Sequence, residues 1–376
     1  MGYDSGKLWL LLDSGLATKA LSIELMGFGA GLLLEDPLAI PSFTLNGLGI
    51  ALQTGSINLS GTFLKGTPLA ATGDWKTTEQ YDGELGIQLG NFNLTAIGSY
   101  AQMQNDKTQQ KQSSLFAFAV IDYPLGGPPA FFITGGALGF GYNRALLPPD
   151  INGVSTYPLV EAALSPEDYR GSLPEVLQKM GSIAPVQLDE YWLAAGIKFT
   201  SYELINSFAL ATVSFGTKLE IVLLGLADIK VPTNDPNPVA EAQLALEARI
   251  LPEEGLMSVD AQLTDASYIL SKDCKLTGGF AFYVWYKPNQ HAGDFVVTLG
   301  GYHPRFQKPA HYPDVPRLGF HWDVGEGLFL KGGLYFALTP VCVMAGGDLN
   351  ATWQSGGIKA WFDLHADLLI FWKPYH

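Results

Sequence analysis

Alternation of side-chain character constrains this chain more than any other feature. From Ala240 to Ile250, Glu241, Gln243, Glu247 and Arg249 fall on one parity, and Ala242, Leu244, Leu246, Ala248 and Ile250 on the other. Period two belongs to a β-strand, whose successive side chains leave opposite faces. The pattern recurs where Ser258, Asp260, Gln262 and Thr264 oppose Met257, Val259, Ala261 and Leu263, and where Ser56, Asn58, Ser60 and Thr62 oppose Ile57, Leu59, Gly61 and Phe63. Further strands are expected at 84–90, 92–103, 114–122, 130–142, 191–199, 205–215, 218–230, 275–287, 294–302, 326–338, 341–353 and 357–371.

The links are short, and Pro252-Glu253-Glu254-Gly255 has turn chemistry. Short links demand antiparallel neighbours, because a parallel crossover needs about a dozen residues or more. The expected fold is therefore all-β: one unit over 1–376, a long antiparallel meander. So wide a sheet must curl into a barrel-, gutter- or sandwich-like unit with an apolar interior. Residues 144–189 depart from the pattern. They carry Pro148, Pro149, Pro158, Pro166, Pro174 and Pro185, and read as a loop and helical insertion. Ser165-Pro166-Glu167-Asp168 is a helix start, and 172–180 a second short helix closed by Gly181.

Composition excludes several classes. Charged residues are 15% of the chain, against about 25% in ordinary globular proteins. With 47% apolar residues it is not disordered. A net charge of −14 leaves no basic footprint for nucleic acid. Forty-three glycines argue against a helical protein. The N-terminus has no basic region followed by an apolar core, so no signal peptide is read. The uncharged runs 37–64 and 123–143 are long enough for transmembrane helices, but internal prolines and glycines make them strands and turns. Membrane spanning is not expected. A porin-type wall would be apolar on one face only, whereas 280–286 and 334–338 are apolar on both.

Two constellations bear chemistry. Asp363, His365 and Asp367 alternate on one strand and share a face, as a metal site or an acid/base pair would require. The plainer reading is a solvated or lumenal polar stripe. His291, His303, His311 and His321 cluster in sequence without a metal-binding spacing. The Pro-rich stretch 303–317 could line a pocket mouth. His303, Arg305, Tyr312, His321 and Trp361 are the candidate ligand-binding residues, although such a loop more often packs across a sheet end. No nucleophile elbow, phosphate loop or dinucleotide fingerprint is present, and no cofactor is implied.

Phe131-Phe132-Ile133-Thr134-Gly135-Gly136 leads into Gly139-Phe140-Gly141-Tyr142-Asn143-Arg144. Gly300-Gly301-Tyr302-His303-Pro304-Arg305-Phe306 is followed by His311-Tyr312-Pro313, Val315-Pro316-Arg317-Leu318-Gly319 and Lys359-Ala360-Trp361-Phe362. Over 124–148 and 296–376 the chain resembles a family of large β-rich bacterial and fungal proteins known only as a domain of unknown function. The resemblance implies a β-rich fold and carries over no catalytic residue. It also implies further strands beyond the equivalent of His376, so the chain is expected to be a piece of a longer protein.

The function expected first is a non-enzymatic scaffold or binding protein. Its partner would be a lipid-like small molecule or other protein subunits. The alternatives are a metal-assisted hydrolase using Asp363, His365 and Asp367, and an outer-membrane β-barrel.

Overall fold

A computed structural model describes residues 2–4, 7–33, 42–44, 46–66, 74–164, 179–233 and 237–372. The chain is all-β, and its strand pairings are antiparallel throughout the described residues. It divides into two compact units: 1–125, 134–147 and 161–195 form the first, and 126–133, 148–160 and 196–376 the second.

The first unit is a run of hairpins. Lys7–Ala17 pairs with Leu21–Leu33, which pairs with Gly47–Thr54. Ile57–Lys65, Trp75–Leu89, Phe92–Asn105 and Lys111–Gly126 follow, each paired with the one before. In the second unit Ile205–Phe215, Glu220–Val231, Ala240–Leu251, Leu256–Leu263, Gly279–Trp285, Phe295–Leu299, Leu328–Leu338, Cys342–Ser355 and Ile358–Phe371 are consecutive neighbours. A side branch joins Ser271–Thr277 to Leu318–Gly325, which returns to Leu328–Leu338. The expected strands at 275–287 and 326–338 are therefore each preceded or interrupted by a break: Gly278 separates two strands, and 318–325 forms a strand of its own.

The turns explain the meander. Between Cys342–Ser355 and Ile358–Phe371, Gly356 and Gly357 have φ of +55° and +84°. Two consecutive positive φ values make the tight hairpin turn whose twist matches the strands, and only glycine adopts them without strain.

Within 144–189 the described residues form a 3-10 turn, Ile151–Thr156, and a helix, Pro158–Leu164. Asp150 caps the former, its carboxylate accepting from the Gly153 amide at 3.0 Å. A further helical turn covers 179–183. The helix start at Ser165 and most of the expected helix 172–180 lie outside the described residues.

The registers fix which residues share a face. In the second unit, Ala211, Leu223, Ala248, Val259, Phe282, Val297, Leu338, Val343 and Ile370 form one row across nine strands. Ala209, Gly225, Leu246, Ala261, Phe280, Leu299, Phe336, Ala345 and Leu368 form the next on the same face. No polar side chain enters either row. The intervening row lies on the opposite face and reads Leu210, Leu224, Glu247, Asp260, Ala281, Thr298, Ala337, Met344 and Leu369.

This second face is the covered one. Glu247 is 5% exposed, and Thr298, Ala281, Ala337 and Met344 are fully buried. The apolar rows are open at Leu368, 52% exposed, at Ile370, 48%, and at Phe336, 42%. The first unit repeats the division. Leu16, Ile23, Ile50, Gly61, Leu85, Ala96 and Ala119 form an apolar row across seven strands, and Leu25, Leu48, Phe63, Gly83, Gly98 and Ala117 form another.

Candidate functional site

The covered face of the second unit holds a chain of polar groups. On Ala240–Leu251, Arg249 pairs with Glu247 through Nε, lies 3.7 Å from Glu220, and donates to the Pro149 carbonyl. Next to Glu247 in register is Asp260, which accepts from the Tyr283 hydroxyl at 2.8 Å. Burial raises the carboxyl pKa of Glu220, Glu247 and Asp260, while Arg249 pulls each of them down. Beside this network, Asn152, Ser155, Thr156, Gln243, Gln262 and Thr264 line a polar cleft of about 380 Å³. Four of its side chains pair with one another: Gln262 donates to Asn152 at 2.9 Å, and Thr264 to Gln243 at 2.8 Å.

A second cluster clamps the loop after Phe295–Leu299. Asp294 accepts from the Tyr312 hydroxyl at 2.8 Å and lies 2.8 Å from His311 Nε2. His291 stacks on His311 with ring centroids 3.8 Å apart, and Trp285 stacks on Tyr312 at 5.6 Å. Burial raises the Tyr312 phenol well above its ordinary range, and the Asp294 hydrogen bond adds to this. Asp294 is thereby engaged by a phenol, an imidazole and the Phe295 amide. The arrangement orders a loop and offers no nucleophile beside the imidazole.

The candidates read from the sequence separate into three places. Asp363, His365 and Asp367 do share a face of Ile358–Phe371, and all three are exposed. Asn350 donates to Asp363, and the Tyr335 hydroxyl donates to Asp367 at 2.6 Å. Asp348 stands opposite His365. Among the described residues no group of three or more His, Cys, Asp or Glu side chains is placed to hold a metal ion.

His303 packs edge-on against Tyr335, and its Nδ1 accepts from the Arg305 amide at 3.0 Å. His303 and Asp367 thus meet through Tyr335. Tyr312 lies in the separate clamp. His321 is exposed between Lys275 and Lys331. Trp361, 68% exposed, faces Thr352 across the ladder. Sequence reasoning missed Tyr335 and Arg317, whose guanidinium lies 4.1 Å from the Tyr335 ring centre and donates to the Gly300 and Tyr302 carbonyls. Only the parity of Tyr335 with Gly333 and Ala337 hinted at its face.

Each unit carries an open apolar face. In the first unit, Leu48, Ile50, Leu59, Phe63 and Leu85 rim a depression of about 380 Å³ floored by Gly61, Gly83 and Gly98. In the second, Leu334, Leu349, Leu364 and Leu368 rim one of about 550 Å³ floored by Gly347 and Ala366. Each floor is low because glycine and alanine stand in register beneath larger neighbours.

The signature segments quoted above and the all-β ladder have a common origin. The chain belongs to the DUF6603 family. The family model, described as a family of unknown function, matches residues 1–376. No curated protein matches the chain.

Proposed function

We propose that this DUF6603 protein is a non-catalytic β-sheet module that binds hydrocarbon chains on its open apolar face. One observation carries the reading: adjacent rows of apolar side chains run unbroken through nine strands of the second unit, half-buried at the middle strands and exposed at Leu223, Leu299, Phe336, Leu368 and Ile370. Leu334, Phe336, Leu349, Trp353, Phe362, Leu364, Leu368 and Ile370 are each about half exposed. Complete burial of such a side chain stabilises by about 1.5–3 kcal/mol. Leaving eight of them half wet forgoes about 6–12 kcal/mol, comparable to the ~5–15 kcal/mol net stability of a whole domain. A face of this kind is made to be covered.

The polar groups support no reaction as strongly. The Asp294–His311 pair lacks a nucleophile, and the exposed Asp363–His365–Asp367 stripe is tied to Asn350 and Tyr335 at its two ends.

Delipidated protein titrated with a fluorescent eighteen-carbon fatty acid in detergent-free buffer tests the reading. Binding should saturate, and Leu334→Asp or Leu85→Asp should weaken it at least tenfold. A wild-type protein that remains monodisperse and leaves the fatty acid in solution refutes it.

A further inference from the structure

We infer that the hydrocarbon covering the C-terminal strands is that of a lipid bilayer, against which Leu328–Leu338, Cys342–Ser355 and Ile358–Phe371 form a lipid-facing wall. The inference rests on the reading above and names the source of the chains. Three features argue for a bilayer over a single bound lipid or a protein partner.

The first is height. On Cys342–Ser355 the open face runs Val343, Ala345, Gly347, Leu349, Ala351 and Trp353, and the next position on that parity is Ser355. Ten residue steps of about 3.4 Å span about 34 Å along the strand. At the roughly 45° tilt of membrane strands this becomes about 24 Å, close to the ~25 Å apolar band of a transmembrane sheet. On one neighbour Leu328, Leu330, Gly332, Leu334, Phe336 and Leu338 cover the same ten steps; on the other Ile358, Ala360, Phe362, Leu364, Ala366, Leu368 and Ile370 run two residues further, about 41 Å along the strand and about 29 Å at that tilt.

The second is the ends. Trp353 ends the apolar run of its own strand at one limit, 39% exposed. Trp372 lies beyond Ile370 at the other, 48% exposed, with its indole N–H donating to the Pro340 carbonyl at 2.8 Å. Indoles that combine an apolar body with a satisfied polar edge belong at the two membrane–water boundaries.

The third is the reverse side. Behind the middle of the band stand Lys331, Asp348, Asn350, Thr352, Asp363 and His365, while Ala337, Met344 and Leu369 lie behind one end of it and Phe329 and Trp361 behind the other. Apolar toward lipid and polar behind, as over that middle stretch, is the division of a membrane strand. A pocket for one fatty acid would instead place a cation near its carboxylate, and the open face carries none between Trp353 and Trp372.

The first unit repeats the device on its own. Lys65, Tyr81 and Tyr100 close its band at one end, Phe92 and Tyr123 lie at the other, and the row past Tyr81 turns polar with Glu79, Gln102 and Ser113. No helix among the described residues is long and apolar enough to cross a membrane, so the strands themselves would carry the contact. The strands apolar on both faces do not weigh against this. Ala281 and Ala337 are covered, while Phe336 on the other parity is open.

The full chain, mixed with dioleoylphosphatidylcholine vesicles and floated on a density gradient, tests the inference. Nitroxides are placed singly through Leu349→Cys and Leu364→Cys on the open face, and through Asn350→Cys and Asp363→Cys behind it; native Cys274 and Cys342 are buried. The protein should float. The first two labels should be oxygen-accessible and shielded from a nickel chelate, with the order reversed for the second two. Two results overturn the wall and leave the hydrocarbon reading standing. One is a protein that stays at the bottom of the gradient yet binds monomeric oleate to saturation; the other is flotation without the two-residue alternation. A protein that binds neither vesicles nor oleate overturns both.

Discussion

Arg144 tests the packing of the first unit. Its side chain is fully buried, and it makes three hydrogen bonds from one guanidinium: Nε to Ser114 at 2.8 Å, Nη1 to the Ala184 carbonyl at 3.0 Å and Nη2 to Ser99 at 3.0 Å. The group packs 5.2 Å from the Phe116 ring centre. Burial lowers its pKa to about 10, with Asp82 opposing the shift, so it is charged at neutral pH. Arg144→Met keeps the apolar stem and removes every donor. The Ala184 carbonyl and the acidic Asp82 side chain would then lie in a dry interior without their cation. Removing one member of a buried charged network costs about 3–5 kcal/mol. Arg144→Lys retains the charge but cannot present three donors in a plane, and should cost less. Urea denaturation at pH 7 measures both. Equal losses for Lys and Met would show that fork geometry matters and charge does not. A loss below about 1 kcal/mol for Met would refute the claim that the network is closed to water.

Other perturbations give sharp expectations. A Cβ at Gly141 lands on the indole nitrogen of buried Trp192, so Gly141→Ala should destabilise by about 1–3 kcal/mol by thermal melt, and a neutral result would mean that Trp192 moves freely. His365→Ala at an exposed strand position should change stability by less than about 0.5 kcal/mol, and stoichiometric metal by elemental analysis that vanishes in this variant would contradict the assignment. Burial raises the Asp260 pKa and the Tyr283 hydrogen bond pulls it down, so Tyr283→Phe should raise it further. An acid held high in the folded state loses stability as pH rises from its unfolded pKa through its folded one. The deficit of this variant should therefore be small near pH 4 and grow towards pH 7, and a pH-independent deficit would exclude Asp260 as its cause.

The alternation in the sequence specified the strands and their two faces. In Ala240–Leu251 each parity assigned from the residues holds, with Glu247 and Arg249 on one side and Leu244 and Ile250 on the other. Which face is covered is a tertiary fact that period two cannot supply. Here the 148–160 segment lies over the charged parity, and Arg249 reaches the Pro149 carbonyl. The same limit applies to Asp363, His365 and Asp367. Their common face was legible, but the partners Asn350 and Tyr335 come from other strands whose register no local pattern sets. Lys331 and His321, likewise, are neighbours only because 318–325 folds back on 328–338.

The excess of acids over bases, 36 against 22, has a partial structural answer in how the covered face satisfies its carboxylates. Three aspartates of the second unit are each met by a tyrosine hydroxyl: Asp260 by Tyr283 at 2.8 Å, Asp294 by Tyr312 at 2.8 Å and Asp367 by Tyr335 at 2.6 Å. In the first unit Asp82 is met by the amide of Gln80 at 3.1 Å. A phenol that donates to a carboxylate adds no charge, so half-buried Asp260 and Asp294 gain a strong hydrogen bond without a further cation being buried, and exposed Asp367 gains one from the buried Tyr335. Burial raises all three phenols, and each acidic partner raises them further, which keeps the donor proton in place across the physiological range. Lysine or arginine in those positions would add a second desolvation cost. Tyrosine also contributes a ring: Trp285 packs on Tyr283 and Tyr312, and His303 on Tyr335. The covered face can therefore be polar, acidic and densely packed at once, which leaves the open face free to be apolar throughout.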